Sequence, residues 1–264
     1  MGHFDDPRVG AASGELILTS GPHESAVGQG VASYWSYEKF IRRHESRVDS
    51  TVGATGAIYA IRRALFETIP EETILDDVLI PLRIARCGYR VLFEPEARAY
   101  DRAAATAREE FVRKVRTIAG NFQLFTRERQ LLSPFRNRLW LQTLSHKGLR
   151  LLTPLLQVAA FGANLPLADR PFYRWTFLAQ IVFYVAALGG CALRNARRKT
   201  PLLALPYVVC LFSWATVAGF VRFVTGRERV TWERASLYGC GGPSALDSPP
   251  LQEPTRGLRQ SRRS

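Results

Sequence analysis

Past Pro134 the sequence holds three long stretches without a formal charge: 151–168 (18 residues), 175–193 (19 residues) and 202–221 (20 residues). A helix needs about 20 predominantly apolar residues to cross the hydrocarbon core of a bilayer, so these windows constrain the fold more than any other feature. The second half is expected to build helices that meet lipid. The last two windows read as membrane spans. The first carries Pro154, Gln157, Asn164 and Pro166 and is compatible with a span, a broken helix or an amphipathic segment in the interface. Two to three transmembrane helices within residues 133–234 are the resulting expectation.

The charge distribution agrees. The chain of 264 residues has 36 Lys and Arg against 23 Asp and Glu, a formal net charge of +13. Residues 1–147 hold 21 basic and 18 acidic side chains, whereas residues 148–264 hold 15 and 5. The excess therefore sits beside the apolar windows, as expected of loops next to a membrane. A nearly balanced first half speaks against a nucleic-acid surface. The basic run RNARRK between the second and third windows favours the cytoplasmic side, which places residues 1–147 in the cytosol at a plasma or inner membrane. GRERVTWER after the third window is also basic, and a three-span arrangement cannot satisfy both flanks. From 235 to 264, turn-forming residues without an apolar period predict a disordered tail.

Metal and export signals are weak. Cys87, Cys191, Cys210 and Cys240 are far apart, with no C-x-x-C pair, and no H-x-x-x-H spacing occurs, so spacing supports no zinc site. MGHFDDPRVG has no basic region followed by an apolar stretch and does not read as a secretory signal.

The first half predicts a mixed α/β structure. GELILT (14–19) reads as a strand, and residues 31–46 as an amphipathic helix on which Val31, Tyr34, Trp35, Phe40 and Ile41 recur at helical spacing. In TVGATGAIYAIRR, Gly53 and Gly56 permit tight backbone geometry before a strand-like run at 57–61. VLIPLRIARCG suits a buried helix with Pro81 near its first turn and Gly88 as its stop. YRVLFEPEARAYD reads as two short strands around Pro95, and 107–129 as a long helix. The glycine pattern matches neither a Walker nor a dinucleotide loop.

Three features can carry chemistry. Asp76 and Asp77, adjacent at a helix start, suit a cap and a favourable dipole interaction. Partial burial beside a second carboxylate would instead raise a pKa and suit a general base. Arg113 and Arg116 share a helix face and could grip a diphosphate; the plainer reading is a solvated basic face paired with Glu109 and Glu110. Gly53 and Gly56 signify at least a tight turn.

Taken in order, the YWSYEKF helix, GATGAIYAIRR, LDDVLIPLRIARCGYRVLFEPEA, EEFVRKVRTIAGN and the membrane helices resemble the membrane-embedded branch of the family 2 glycosyltransferases, which includes cellulose, hyaluronan and poly-N-acetylglucosamine synthases. The likeness covers about residues 14–123 at the level of motifs, and the membrane part in layout. It implies an α/β fold, the C-terminal part of a GT-A catalytic domain over residues 1–132 followed by a transmembrane helical region. It implies an inverting transfer of sugar from a nucleotide-diphosphate donor to a glycan or lipid acceptor. Asp77 takes the place of the family's catalytic Asp and Asp76 that of its Glu. Gly53, Thr55 and Gly56 fall in the loop beside donor and acceptor. RKVRT (113–117) falls where the family has Q-x-x-R-W, so Arg116 keeps the arginine that stabilises the departing diphosphate. Arg113 replaces the glutamine and Thr117 the tryptophan, which puts processive synthesis in doubt.

The same resemblance calls for an N-terminal nucleotide-binding βαβ region and an Asp-x-Asp holding Mg²⁺ or Mn²⁺. No Asp-x-Asp occurs in the sequence, and Asp5-Asp6 in FDDPRVG matches the stretch after that motif. The expectation is a catalytic domain lacking its donor-binding half and inactive alone, with a separate chain supplying the N-terminal half as a candidate partner. The rival is a non-catalytic membrane subunit or scaffold built from such a domain; nucleotide-sugar binding discriminates between them.

Overall fold

A computed structural model describes residues 2–19, 26–102, 104, 106–193 and 201–226. The side chains of 26–33 and 201 lie outside that description, as do the basic run at 194–199, most of GRERVTWER and the expected tail.

The structure is mixed α/β. A three-stranded sheet has the order β2-β1-β3, with β1 Val9–Thr19 in the centre, β2 Tyr59–Ile61 antiparallel to it and β3 Arg90–Arg102 parallel to it. β1 begins five residues before the predicted strand. Its N-terminal Val9 and Ala11 are fully buried, so the small residues of VGAAS, weak in intrinsic strand propensity, are held there by burial. The two strands expected around Pro95 are one strand with an interruption. Gly14 faces Glu94 and Glu15 faces Arg98, so residues 95–97 bulge out of register. Pro95 has no N–H for the ladder, and a bulge is where a sheet accommodates that loss. A Cβ on Gly14 would lie 2.3 Å from the Ala97 carbonyl oxygen, so glycine is what lets the bulge fold back onto β1.

Helix α1 (Ala26–Val48) extends past the predicted helix at both ends, and α2 (Asp76–Arg86) stops at Gly88, whose φ of +92° a glycine adopts without strain. Pro81 is the sixth residue of α2, beyond the first turn where its missing N–H would cost nothing. The core below the sheet is formed by Val52, Leu75, Val78, Leu79, Leu82, Ile84 and Val91, closed by Leu124, Leu131 and Leu139. α3 (Ala107–Arg127) starts at Thr106, whose hydroxyl accepts the Glu109 amide at 3.2 Å, as an N-cap should.

A short helix α4 (Trp140–Thr143) runs through a wide turn at Leu144–Gly148 into α5 (Leu149–Asn164), followed by α6 (Pro171–Ala192) and α7 (Pro201–Val224). Among the described residues, two helices are long and apolar enough to cross a membrane, α6 and the Leu202–Val224 stretch of α7. With 16 residues, α5 reaches about 24 Å, short of the ~30 Å hydrocarbon core. Within α6 the buried residues are Ala187 and Gly190, whereas α7 is covered along one face. Val115 and Ile118 of α3 pack on Ala215, and a Cβ on Gly219 would come within 2.8 Å of Ile118. Tyr34 of α1 meets Phe212 edge-on at 5.1 Å. The other face of α7, with Trp214, Val217, Val221 and Val224, is exposed.

Candidate functional site

The loop between α1 and β2 is fixed to the start of α2 by backbone contacts. Gly53 has φ +121°, and its carbonyl accepts the Thr51 hydroxyl at 2.8 Å. The Ala54 amide donates to the Asp77 carbonyl at 2.7 Å. That carbonyl is free to accept because its helical partner would be residue 81, a proline. Thr55 is buried and tied inward. Its amide donates to Ser13 Oγ at 2.7 Å, its hydroxyl donates to the Gly14 carbonyl at 2.7 Å, and it accepts Arg42 Nη1 at 2.9 Å. Gly56 then passes the Asp77 side chain so closely that a Cβ would stand 3.3 Å from Oδ2.

Asp76 and Asp77 occupy the first two helical positions of α2, and Leu75 is the N-cap, so neither aspartate caps the helix. Asp76 is exposed and Asp77 half-buried. Among the described residues no side chain donates a hydrogen bond to the Asp77 carboxylate; its own backbone amide does. Burial pushes this carboxyl above the ordinary aspartate range and the Asp76 charge adds to that, while the positive charges of Lys147 and Arg42 pull the other way. Tyr59, opposite Ser13 on β2, feels the same pair: its hydroxyl is raised by burial and by the charges of Asp76 and Asp77.

The structure thus brings Gly53, Thr55, Gly56 and Asp77 together, with Thr55 serving as a tie to β1 instead of facing outward. α3 arrives through Gly120, where a Cβ would come within 2.7 Å of Leu75 and 2.9 Å of Ile74. Arg116, one turn earlier, shares that face, so it lies on the side of α3 that adjoins the start of α2. Arg113 pairs with Glu109 at 3.6 Å, as the plainer reading of the basic face expects. Among the described residues no group of three His, Cys, Asp or Glu is placed to hold a metal ion. The Asp-x-Asp that would hold Mg²⁺ or Mn²⁺ by the resemblance does not occur in the sequence, and Asp76 and Asp77, one exposed and one half-buried, do not replace it.

Behind the Asp77 loop is a buried charge cluster that the sequence did not reveal. His146 Nδ1 is 2.8 Å from Glu45 Oε1 and its Nε2 is 2.8 Å from Glu38 Oε1, with all three side chains less than a tenth exposed. Arg150 donates to Glu38 Oε2 at 3.1 Å, and Arg42 Nε lies 3.7 Å from Glu38 Oε1. Burial opposes the Glu38 charge, but the hydrogen bond from His146 and the positive charges of Lys147, Arg150 and His146 outweigh it and hold the carboxyl well below the usual range. Lys147 is pushed down by burial against the neighbouring cations Arg42 and Arg150, with Glu38 and Asp77 opposing. Lys114 sits 4.1 Å from the Tyr34 ring centre and 4.7 Å from that of Phe212, and burial lowers it to about 8. A signal was present in the sequence: Glu38, Arg42 and Glu45 recur at helical spacing, and His146, Lys147 and Arg150 immediately precede an apolar window.

No protein-family model matches the chain, and no curated protein matches it. Among solved structures it is similar to a mannosyltransferase, PcManGT from Pyrobaculum calidifontis, in complex with GDP-Man and Mn²⁺. The identity is 18% and the TM-score 0.43, covering 84% of this chain and 56% of that one. The chain thus spans little more than half the length of that structure, and a match of this extent leaves family and activity to be argued from the site.

Proposed function

We propose that this chain carries the acceptor-activating part of a membrane-anchored, inverting glycosyltransferase of the GT-A type, as the resemblance in its motifs implies. The observation that carries the reading is the Asp77 carboxylate. It is half-buried, receives no hydrogen bond from a side chain among the described residues, and lies so close to Gly56 that a Cβ there would stand 3.3 Å from Oδ2. Its one hydrogen-bond donor is its own backbone amide, and burial holds its pKa above the ordinary aspartate range in spite of that bond. A raised pKa brings a carboxylate closer to the proton affinity that a general base needs.

In the proposed reaction Asp77 takes the proton of an acceptor hydroxyl, on a glycan or a lipid, as that oxygen attacks the anomeric carbon from the side opposite the diphosphate. The carbon–oxygen bond to the diphosphate breaks, the configuration inverts, and the leaving group departs with the electron pair. Arg116, aided by Arg113, stabilises the developing negative charge. Gly53 and Gly56 let the loop approach the reacting groups, and Thr55 and Ala54 hold it there. Asp76 keeps the base's proton affinity up through its like charge. Mg²⁺ or Mn²⁺, if used, would neutralise the donor diphosphate, and its ligands are not supplied by Asp76 and Asp77. The reading requires a nucleotide-binding unit beside Asp77, whether on the same or a second polypeptide.

α6 and the open face of α7 are proposed to anchor the chain in a plasma or inner membrane with Asp77 on the cytoplasmic side. The exposed apolar side chains of α5, Leu152, Leu155, Leu156 and Val158, would lie in the interface. Titration of membranes bearing the protein with a panel of nucleotide sugars, followed by transfer assays with the binder, tests the reading. Saturable binding and Asp77-dependent transfer support it. Binding of no nucleotide sugar favours the non-catalytic subunit.

A further inference from the structure

We infer that His146 is a positioning residue, held as an imidazolium between Glu38 and Glu45, that ties the segment entering α5 to the loop beside Asp77. The positioning role rests on the proposed function; the charge state and the tie do not.

The charge state follows from donors and acceptors. Both ring nitrogens face carboxylate oxygens at 2.8 Å. An ionised carboxylate only accepts, so each nitrogen must donate, and an imidazole with two N–H groups is positively charged. A neutral ring would set a lone pair against an oxygen inside a site that water barely enters. The ring lies among charged and titratable groups from four parts of the chain, with Glu110 of α3 paired to Lys114 at 3.9 Å. Glu38, Glu45, Arg42 and Tyr34 come from α1, Lys147 and Arg150 from the chain on either side of the α5 start, Lys114 from α3 and Asp77 from α2.

Two routes lead from the ring to the loop. Through Glu45, whose other oxygen accepts the Val52 amide at 3.2 Å, the ring holds the loop where it leaves α1. Through Glu38 and the neighbouring Arg42, whose Nη1 donates to Thr55 Oγ1 at 2.9 Å, it holds the loop's middle. Ala54, between the two, is the residue bonded to the Asp77 carbonyl. One imidazolium therefore secures both sides of the contact that places Gly56 against the base. It does so from the residues directly ahead of the membrane-facing helices, so a shift of α5 is felt at the Asp77 loop.

The chain has four histidines, so ¹⁵N-histidine labelling of the full chain in detergent micelles resolves the ring, with His146→Gln as the assignment control. At pH 7.5 both nitrogens of His146 are expected to report attached protons. A ring with one bare nitrogen, whether because it is neutral or because Glu45 carries the proton, overturns the charge assignment. Amide exchange tests the tie. Glu45→Gln is expected to speed exchange at Val52 about tenfold with little change at Thr55, and Arg42→Gln to do the reverse. A uniform rise over the whole domain, or no change at 52–56, overturns it and reduces the cluster to packing. Should His146→Gln fail to fold, the wild-type ring spectrum and these two variants still decide. Where transfer is measured, Glu45→Gln is expected to lower kcat about tenfold with donor KM preserved. Absence of any transfer in the wild type would count against the proposed function while leaving the ring and exchange results standing.

Discussion

Ala54 donates its amide to the carbonyl of Asp77 at 2.7 Å, the acceptor that Pro81, four residues further along α2, cannot use. A proline past the first turn leaves one carbonyl of a helix without its helical partner. Here that carbonyl belongs to Asp77 and is what docks the Gly53–Gly56 loop. Pro81→Ala would supply the missing donor and set it in competition with Ala54. The helix is expected to persist and amide exchange at Ala54 to quicken; an unchanged Ala54 would mean that the loop does not depend on the freed carbonyl.

Asp77→Asn removes a charge whose burial is unfavourable. The folded-state pKa is raised, so below the ordinary aspartate value of about 3.8 both folded and unfolded chains hold the proton and the group costs nothing. As pH rises from that value to the raised folded value, the unfolded chain ionises first and stability is lost, the loss being complete above the folded value. Asp77→Asn is therefore expected to melt at a higher temperature than wild type at neutral pH, with the gap closing on acidification. A lower melting temperature at neutral pH would show that the carboxylate is a structural group.

The neighbours of Asp77 should move its titration in opposite directions. Asp76 raises it and Lys147 lowers it. In a transfer assay the acid limb of the pH–rate profile marks ionisation of the base, and activity climbs as the proton leaves. Asp76→Asn is expected to shift that limb to lower pH and Lys147→Met to higher pH. Equal shifts in one direction would contradict the charge arrangement at the site.

Gly53 takes a backbone conformation that residues with a side chain rarely adopt, and a Cβ there would also press on Val78 at 3.3 Å. Gly53→Ala is expected to cost about 1–3 kcal/mol, read from denaturant titration. Gly56 has no such constraint on φ, and a Cβ there would stand 3.3 Å from Oδ2 of Asp77. Gly56→Val should fold near normally and lose transfer about tenfold or more; full activity would mean that the space beside Oδ2 is not used by substrate.

Anchoring makes a separate prediction. α6 leaves the face with Leu178, Ile181, Val182, Val185 and Leu188 exposed, and α7 packs on α3 through Gly219. The chain should remain with membranes through an alkaline wash and come away only with detergent. Gly219→Leu is expected to cost about 1–3 kcal/mol by overpacking without releasing it. Release by alkali would identify α6 and α7 as a docking surface for protein.

Much of the framework is legible in the sequence because it rests on local chemistry. Gly88 stops α2, the Thr106 hydroxyl caps α3, and the charge-free windows coincide with α6 and α7. What escapes is set by contacts distant along the chain. The run at 90–102 looks like two strands because Pro95 interrupts the pattern, and pairing with β1 on both sides of the bulge makes it one. Glu38, Arg42 and Glu45 look like the solvated face of an amphipathic helix; about a hundred residues later, His146 and Arg150 cover that face. Asp77 was legible as a candidate from its place at a helix start. Its surroundings were not legible, because they depend on Leu75 occupying the cap position and on Pro81 leaving the Asp77 carbonyl free for Ala54.

Sugar transfer by membranes containing the full chain together with a nucleotide-binding unit, wild type against Asp77→Asn, tests the central assignment most directly. A general base should be worth about 10²–10⁴ in rate, so the account predicts a loss of that size with nucleotide-sugar affinity retained. A variant that transfers sugar at near the wild-type rate would contradict it.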